Sequence, residues 1–226
     1  MRVIFSLFLL LVFHFLSLAQ SSSLAVENPF EQIKISGNLH VTLVRSDSME
    51  LQFDSDSVPE NLSIEWGDNK LTMKTHTELK KAPAIHVNLL YTTLSGLEIT
   101  RGARVQSADT LYTQILSLRA ETGGKAEFII RCDSLSARVN QGADIILQGS
   151  TRSQLINAYT VGNFLGYKLV ADSTWVKAAT GAQVKINSTC LLNANATSKA
   201  FIGYMGSPEK TEFKSSVGGK IIQQNP

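Results

Sequence analysis

Residues 135–147 read LSARVNQGADIIL. Leu135, Ala137, Val139, Ala143, Ile145 and Leu147 are apolar and alternate with the polar Ser136, Arg138, Asn140 and Asp144, the period-two pattern of a half-buried strand. Gly142 interrupts the pattern on the outward side, and Ala143 beside it faces inward. The block returns as LRAETGGKAEFII (118–130), VKAATGAQVKI (176–186) and LNANATSKAFIGY (192–204). Weaker copies are LEITRGARV (97–105), INAYTVGNF (156–164) and FKSSVGGKII (213–222).

Alignment of the seven blocks places Gly102, Gly123, Gly142, Val161, Gly181, Lys199 and Gly218 in one column, at intervals of 21, 19, 19, 20, 18 and 19 residues. The next column is Ala103, Gly124, Ala143, Gly162, Ala182, Ala200 and Gly219, small in every copy. A coil of about nineteen residues can wrap short strands around a narrow core, each strand pairing with the coils above and below at about 4.8 Å. Glycine suits a bend that needs φ > 0, and the inward residue beside it has room only for Ala or Gly. Antiparallel sandwiches also place glycine between alternating strands, but they lack a fixed interval with a fixed small column. The expected fold is therefore all-β, a parallel β-solenoid over residues 97–226.

Residues 29–96 are strand-rich but do not keep the repeat. FEQIKISGNLHVTLV (30–44), MELQF (49–53), NLSIEW (61–66), KLTMKT (70–75) and IHVNLLY (85–91) alternate, with turn-rich breaks between them. A solenoid end exposes strand edges and core, so this third is expected to form early, longer coils or an irregular cap continuous with the repeat. The Ser-rich stretch 20–28 reads as a short mobile lead-in. Before it, Arg2 followed by VIFSLFLLLVFHFLSLA (3–19) has the charge, apolar core and small residues Ser17 and Ala19 of a signal peptide. It is shorter than the about twenty residues of a membrane span. No other long apolar run follows, so no transmembrane segment is expected after cleavage. The implied destination is the periplasm, the cell surface or the medium.

Lys and Arg number 21 against 19 Asp and Glu, a net charge of +2, and charged residues make up 18%. That balance argues against a nucleic-acid partner. The cysteines, Cys132 and Cys190, each lie nine residues after a column glycine, which places them three coils apart and beyond the reach of a disulfide. His40, His76 and His86 show no metal-ligand spacing, and no nucleophile elbow, phosphate loop or dinucleotide fingerprint occurs. Neither a metal nor a cofactor is expected. The pairs Asp109-Thr110, Asp133-Ser134 and Asp172-Ser173 read as turn chemistry. Trp66 and Trp175 could stack on a sugar, although core or edge packing is the commoner role for a tryptophan in a strand.

Four residues before the glycine column lie Glu98, Arg119, Arg138, Asn157, Lys177, Asn195 and Lys214; two residues after it lie Arg104, Lys125, Asp144, Asn163, Gln183, Phe201 and Lys220. Both columns should point outward and form polar ladders on one side of the solenoid. The candidate binding face is Arg119, Arg138, Lys177, Arg104, Lys125, Asp144 and Asn163. A plain solvated sheet face is the competing reading.

The leader, the opening FEQIKISGNLHVTLV and the glycine steps in NQGADIILQGS (140–150) and ATGAQVKI (179–186) resemble the putative auto-transporter adhesin, head GIN domain family. The closing stretch GYMGSPEKTEFKSSVGGKI (203–221) resembles that family's ending, and the likeness spans about residues 28–222. The resemblance implies a right-handed parallel β-helix in an exported protein, common in Bacteroidetes-type bacteria, and brings no catalytic residues. Val161 and Lys199 depart from the glycine column, so those two coils are expected to bend differently. The resulting expectation is a non-enzymatic, adhesin-like exported protein that presents an extended polar face to a glycan or an envelope protein. Alternatives are a carbohydrate-active β-helix enzyme, which needs acids converging on one groove, and an envelope scaffold joined through solenoid edges. The ladder motifs fix no oligomeric state.

Overall fold

The computed structural model describes residues 22–26, 28–55, 57–76 and 83–225, so the expected signal peptide at 1–19 lies outside the described residues. Seventeen strands and no helix occur among them. The early strands are β1 (Ser22–Ala25), β2 (Gln32–Ser36), β3 (Leu39–Arg45), β4 (Glu50–Phe53), β5 (Leu62–Gly67), β6 (Lys70–Thr75), β7 (Ile85–Tyr91), β8 (Gly96–Thr100) and β9 (Arg104–Ser107). The later ones are β10 (Leu111–Glu121), β11 (Lys125–Val139), β12 (Asp144–Ala158), β13 (Asn163–Ala178), β14 (Gln183–Ala196), β15 (Phe201–Met205), β16 (Lys210–Ser215) and β17 (Lys220–Gln223).

From β8 onward the strands stack in parallel at the repeat interval. Arg119 sits beside Arg138, Arg138 beside Asn157 and Asn157 beside Lys177. The expected solenoid is present, with seven equivalent turns from residue 101 to residue 219. Inward residues of the founding block are buried as the alternation requires, with Leu135, Ala137, Val139, Ala143, Ile145 and Leu147 all at most 1% exposed.

Each turn carries two consecutive residues with positive φ, such as Gln141 (52°) and Gly142 (68°), or Thr122 (51°) and Gly123 (73°). A positive pair at the two central positions is the mark of a type I′ turn. The closing hydrogen bond is made by the small-column amide: Ala143 donates to Asn140 O at 3.2 Å and Gly124 to Glu121 O at 3.0 Å. The turns also bond to one another. Gly123 N donates to Gln141 O at 3.1 Å and Gly142 N to Thr160 O at 3.2 Å, so the exposed corners are tied together by backbone bonds from coil to coil.

This ladder corrects one expectation. Val161 (φ 60°) and Lys199 (φ 61°) occupy the glycine column and bend as the glycines do. Their amides donate to Thr180 O and Val217 O at 3.0 Å, the same contacts their glycine counterparts make. Inter-coil bonding holds the left-handed conformation against the side chain's objection. The small column behaves as expected: a Cβ on Gly162 would fall 2.7 Å from Val139 O.

The N-terminal third contains both a coil and a cap. β2 pairs in parallel with β6 on one side and β8 on the other, and β3 likewise with β7 and β9. The first coil of the sequence is therefore the second layer of the stack, between β6–β7 and β8–β9. Antiparallel strands then cover the outermost layer: β5 on β6, and β4 on β7 with β1 beyond it. Such strands close edges that would otherwise template pairing. Ser22–Ala25, expected in a mobile lead-in, is strand β1, because Leu24 and the following Val26 pack partly against the core.

The expected relation between the cysteines needs one change. Cys132 and Cys190 are both free thiols. However, the column of Cys132 runs through Thr151 and Ala171 to Ser188, and Cys190 falls where the β13–β14 register shifts. The irregularity pushes Cys190 to the surface while Cys132 is buried.

Candidate functional site

The type I′ turn reverses the chain between the two expected ladders, so they lie on different sheets. Residues before the turn form one sheet, in which β8, the second halves of β10 to β14, and β16 pair in order. Residues after it form the other, in which β9, the first halves of β11 to β14, then β15 and β17 pair. Arg119, Arg138 and Lys177 belong to the pre-turn sheet; Arg104, Lys125, Asp144 and Asn163 belong to the post-turn sheet. The single side expected from the repeat is two faces, because a two-residue turn leaves no room for the chain to continue in one plane.

On the pre-turn face the column Glu98, Arg119, Arg138, Asn157, Lys177, Asn195, Lys214 is in continuous register. Its ends are internally compensated. Glu98 meets Lys34 at 2.7 Å and Lys70 at 3.6 Å, Arg119 meets Glu121 at 2.9 Å, and Lys214 meets Glu212 at 3.1 Å. Burial alone would push the Glu98 carboxyl up, but the Lys34 hydrogen bond and the charges of Lys34, Lys70 and Arg119 outweigh it and hold the group below its ordinary value. In the middle, Arg138 and Lys177 are exposed and make no ion pair among the described residues.

The neighbouring column contains Ser136, Leu155, Trp175 and Asn193. Leu155 and Trp175 are 43% and 42% exposed, an apolar pair standing in the open beside the column of Arg138, Asn157 and Lys177. Tyr159 Oη donates to Asn157 Oδ1 at 3.3 Å and steadies the amide. Trp175 was expected in core or edge packing. Its place was readable: it lies six residues before Gly181, as the outward Ser136 lies six before Gly142. Trp66, by contrast, is half-buried, with its ring 6.5 Å from that of Phe30.

On the post-turn face the ladder reaches back into the N-terminal third. His86 pairs with His40, His40 with Arg104, Arg104 with Lys125, Lys125 with Asp144 and Asp144 with Asn163. The His40 and His86 rings meet edge to face at 4.9 Å. Burial first, then the charges of His86 and Arg104, hold His40 below the ordinary imidazole value. Lys125 lies 3.5 Å from Glu127, and Asn163 Nδ2 donates to Asp144 Oδ1 at 2.8 Å. A depression of about 220 Å³ opens over His40, Thr42, His86, Arg104, Gln106, Lys125 and Glu127. The sequence names both histidines but does not place them in this column, because residues 29–96 do not share the phase of the repeat.

The acids do not converge. Glu98, Glu121 and Glu127 are tied to neighbouring cations, Asp144 to Asn163, and Asp133 to Arg152 at 3.2 Å. The turn chemistry expected of Asp133-Ser134 and Asp172-Ser173 is not found there, since both pairs lie inside strands, β11 and β13; the backbone carbonyl of Asp133 instead accepts from the hydroxyls of Thr151 and Ser153 in the next coil at 3.4 Å. Among the described residues no group of three or more His, Cys, Asp and Glu side chains could hold a metal ion.

Residues 29–208 match the family model described as putative auto-transporter adhesin, head GIN domain. Among solved structures the chain is similar to a putative adhesin from Bacteroides fragilis, at 19% identity and a TM-score of 0.78, over 90% of this chain and 95% of that one. A putative adhesin from Parabacteroides merdae aligns at 17% identity and a TM-score of 0.70, over 91% and 95%. A putative lipid binding protein from Parabacteroides distasonis aligns at 14% identity and a TM-score of 0.67, over 91% and 97%. At these identities the structures speak for the fold. No curated protein matches.

Proposed function

Because the chain belongs to the putative auto-transporter adhesin, head GIN domain family, we propose that it is a non-enzymatic exported binding protein whose pre-turn face holds an extended glycan. The observation that carries this reading is Trp175, exposed beside Leu155 and bordered by Arg138, Asn157 and Lys177. An indole lying open on a flat sheet offers its face to the apolar side of a sugar ring and removes it from water. Amide, guanidinium and ammonium groups around it donate hydrogen bonds to hydroxyls. Because rungs recur at about 4.8 Å, successive sugars of one chain can meet successive coils. The dispersed, ion-paired acids favour binding over glycosidic cleavage, which needs two carboxyl groups flanking one bond. Secretion to the periplasm or cell surface fits the leader and the family.

The description of the Parabacteroides distasonis structure as lipid binding suggests a second ligand class for comparison. A buried lipid would need an enclosed apolar cavity, whereas the interior here is filled by side chains such as Phe128 and Phe164. The test is binding of an oligosaccharide panel and of phospholipid vesicles, with product analysis on the same samples. Trp175→Ala should weaken glycan binding about tenfold or more, the range of a central aromatic anchor. Arg138→Ala alone should matter little, since exposed charges each contribute little. Binding of neutral glycans indifferent to Trp175→Ala would move the site off this face. Cleaved product would replace the binding reading with an enzymatic one.

A further inference from the structure

The post-turn face offers a different chemistry. His86, His40, Arg104 and Lys125 occupy four successive rungs of one column, on β7, β3, β9 and β11. At about 4.8 Å per rung they form a line of basic side chains roughly 14 Å long, bordered by the depression over Thr42, Gln106 and Glu127. We infer that this line is a binding site for a carboxylate-bearing polysaccharide lying along the stack, and that it holds its ligand more tightly in mild acid.

A linear array selects a polymer with repeated charges over a lone anion. A single phosphate or carboxylate spans two rungs, and a polyuronate can engage all four at once. Nucleic acid is the other linear polyanion, but the chain's net charge of +2 supplies little of the long-range attraction on which such binding depends. Apart from the two imidazoles, these four rungs carry no aromatic ring to stack on bases.

The pH dependence follows from the groups that face the imidazoles. β7 contributes His86, β9 contributes Arg104, and the next strand contributes Lys125 and Glu127. β4, packed on β7, brings Glu50 opposite Leu90 and Phe53 opposite Val87, so the following Asp54 comes next to His86 in the same register. With both imidazoles neutral, Arg104 and Lys125 balance Glu127 and Asp54; protonation of both rings leaves an excess of two positive charges. Two imidazolium rings 4.9 Å apart repel each other, and a carboxylate laid across them removes that repulsion. Anion binding and proton uptake are therefore coupled, and each must strengthen the other by the same factor. Histidine changes charge between about pH 5 and 8, while uronate carboxyls, like other carboxyls ionising near about pH 4, keep their charge through that range.

The experiment measures binding of oligogalacturonate at pH 7.5 and pH 5.5, with dextran, oligo-dT and inorganic phosphate as comparisons. Affinity for oligogalacturonate should rise about tenfold between the two conditions, the yield of one or two added charge contacts. His40→Gln with His86→Gln should abolish the rise, and Arg104→Gln should weaken binding at both pH values. His86 is exposed, so His86→Gln alone folds without demands on the core and should lose part of the rise. Any dextran binding, which would belong to the pre-turn face, should be the same at both pH values and in the double variant. An affinity unchanged by pH, or a rise intact in the double variant, overturns the inference. So does tighter binding of oligo-dT, or full competition by millimolar phosphate, which would mark a pocket for a lone anion. Trp175→Ala should leave oligogalacturonate binding intact, which separates this face from the pre-turn one.

Discussion

Val161 donates its amide hydrogen to Thr180 O of the next coil at 3.0 Å while holding φ at 60°. A β-branched residue in the left-handed region costs about 1–2 kcal/mol, and the side chain, 60% exposed, recovers little by burial. Val161→Gly should therefore raise stability by about 0.5–1 kcal/mol, after allowance for the added freedom of glycine in the unfolded chain. Denaturant melts of the two proteins measure it. A lower midpoint for the glycine variant would mean that the valine makes contacts the strain argument omits.

The inward small column should respond in the opposite sense. Ala143 is 1% exposed inside the turn, so Ala143→Leu should cost about 1–3 kcal/mol by overpacking. The adjacent Asp144 is only half-buried, its side chain accepting a hydrogen bond from Asn163 Nδ2, and Asp144→Asn should stay within about 0.5 kcal/mol. Equal midpoints for the two variants would reverse the inward and outward assignment.

The thiols should separate by access. Cys190 is exposed, whereas Cys132 is buried and lies 3.4 Å from Thr151 Oγ1. Burial raises the Cys132 thiol, disfavouring the reactive thiolate. An aromatic disulfide reagent should titrate one thiol in the native, unreduced protein and two after denaturation. Finding none in the denatured monomer would show a disulfide and contradict the coil register.

Glu98 should make stability sensitive to acid. Its carboxyl lies lower in the folded chain than its ordinary value of 4.5 because Lys34, Lys70 and Arg119 surround it. A depressed pKa means that the unfolded chain binds the proton more readily. The contribution is thus fully present above about pH 4.5 and disappears as pH falls through the lower folded value. Glu98→Gln should destabilise the protein at pH 7 and flatten the fall in melting temperature below pH 4.5. Parallel pH profiles for wild type and variant would remove Glu98 from the acid response.

The repeat was legible because its constraint is local. A small residue at 103, 124, 143, 162, 182, 200 and 219 follows from the corner itself, and the ladder register of Arg119, Arg138 and Lys177 follows from the interval. The residue before the glycine column was not legible, since Arg101, Thr122, Gln141 and Thr160 carry no mark of positive φ; the stacked hydrogen bonds impose it. The division of the candidate site between two sheets depends on that same two-residue turn. The His40–His86 contact escaped notice for another reason: β3 and β7 are far apart in sequence, and no shared motif announces that they pair.

The position of β2 and β3 inside the stack bears on how such a protein can change length. In the later coils, sequence order and stacking order agree, so one unit between β9 and β15 can be duplicated or lost and its neighbours close up across matching turns. The N-terminal layers offer no such freedom. Ile33 faces Leu71 on one side and Leu97 on the other, and Val41 faces Val87 and Val105. Deleting that coil would draw a card from the middle of the deck and bring together two layers whose connections pass around the missing one. The capped end is thus a fixed foundation, and lengthening or shortening of the array over evolutionary time is confined to the coils built upon it.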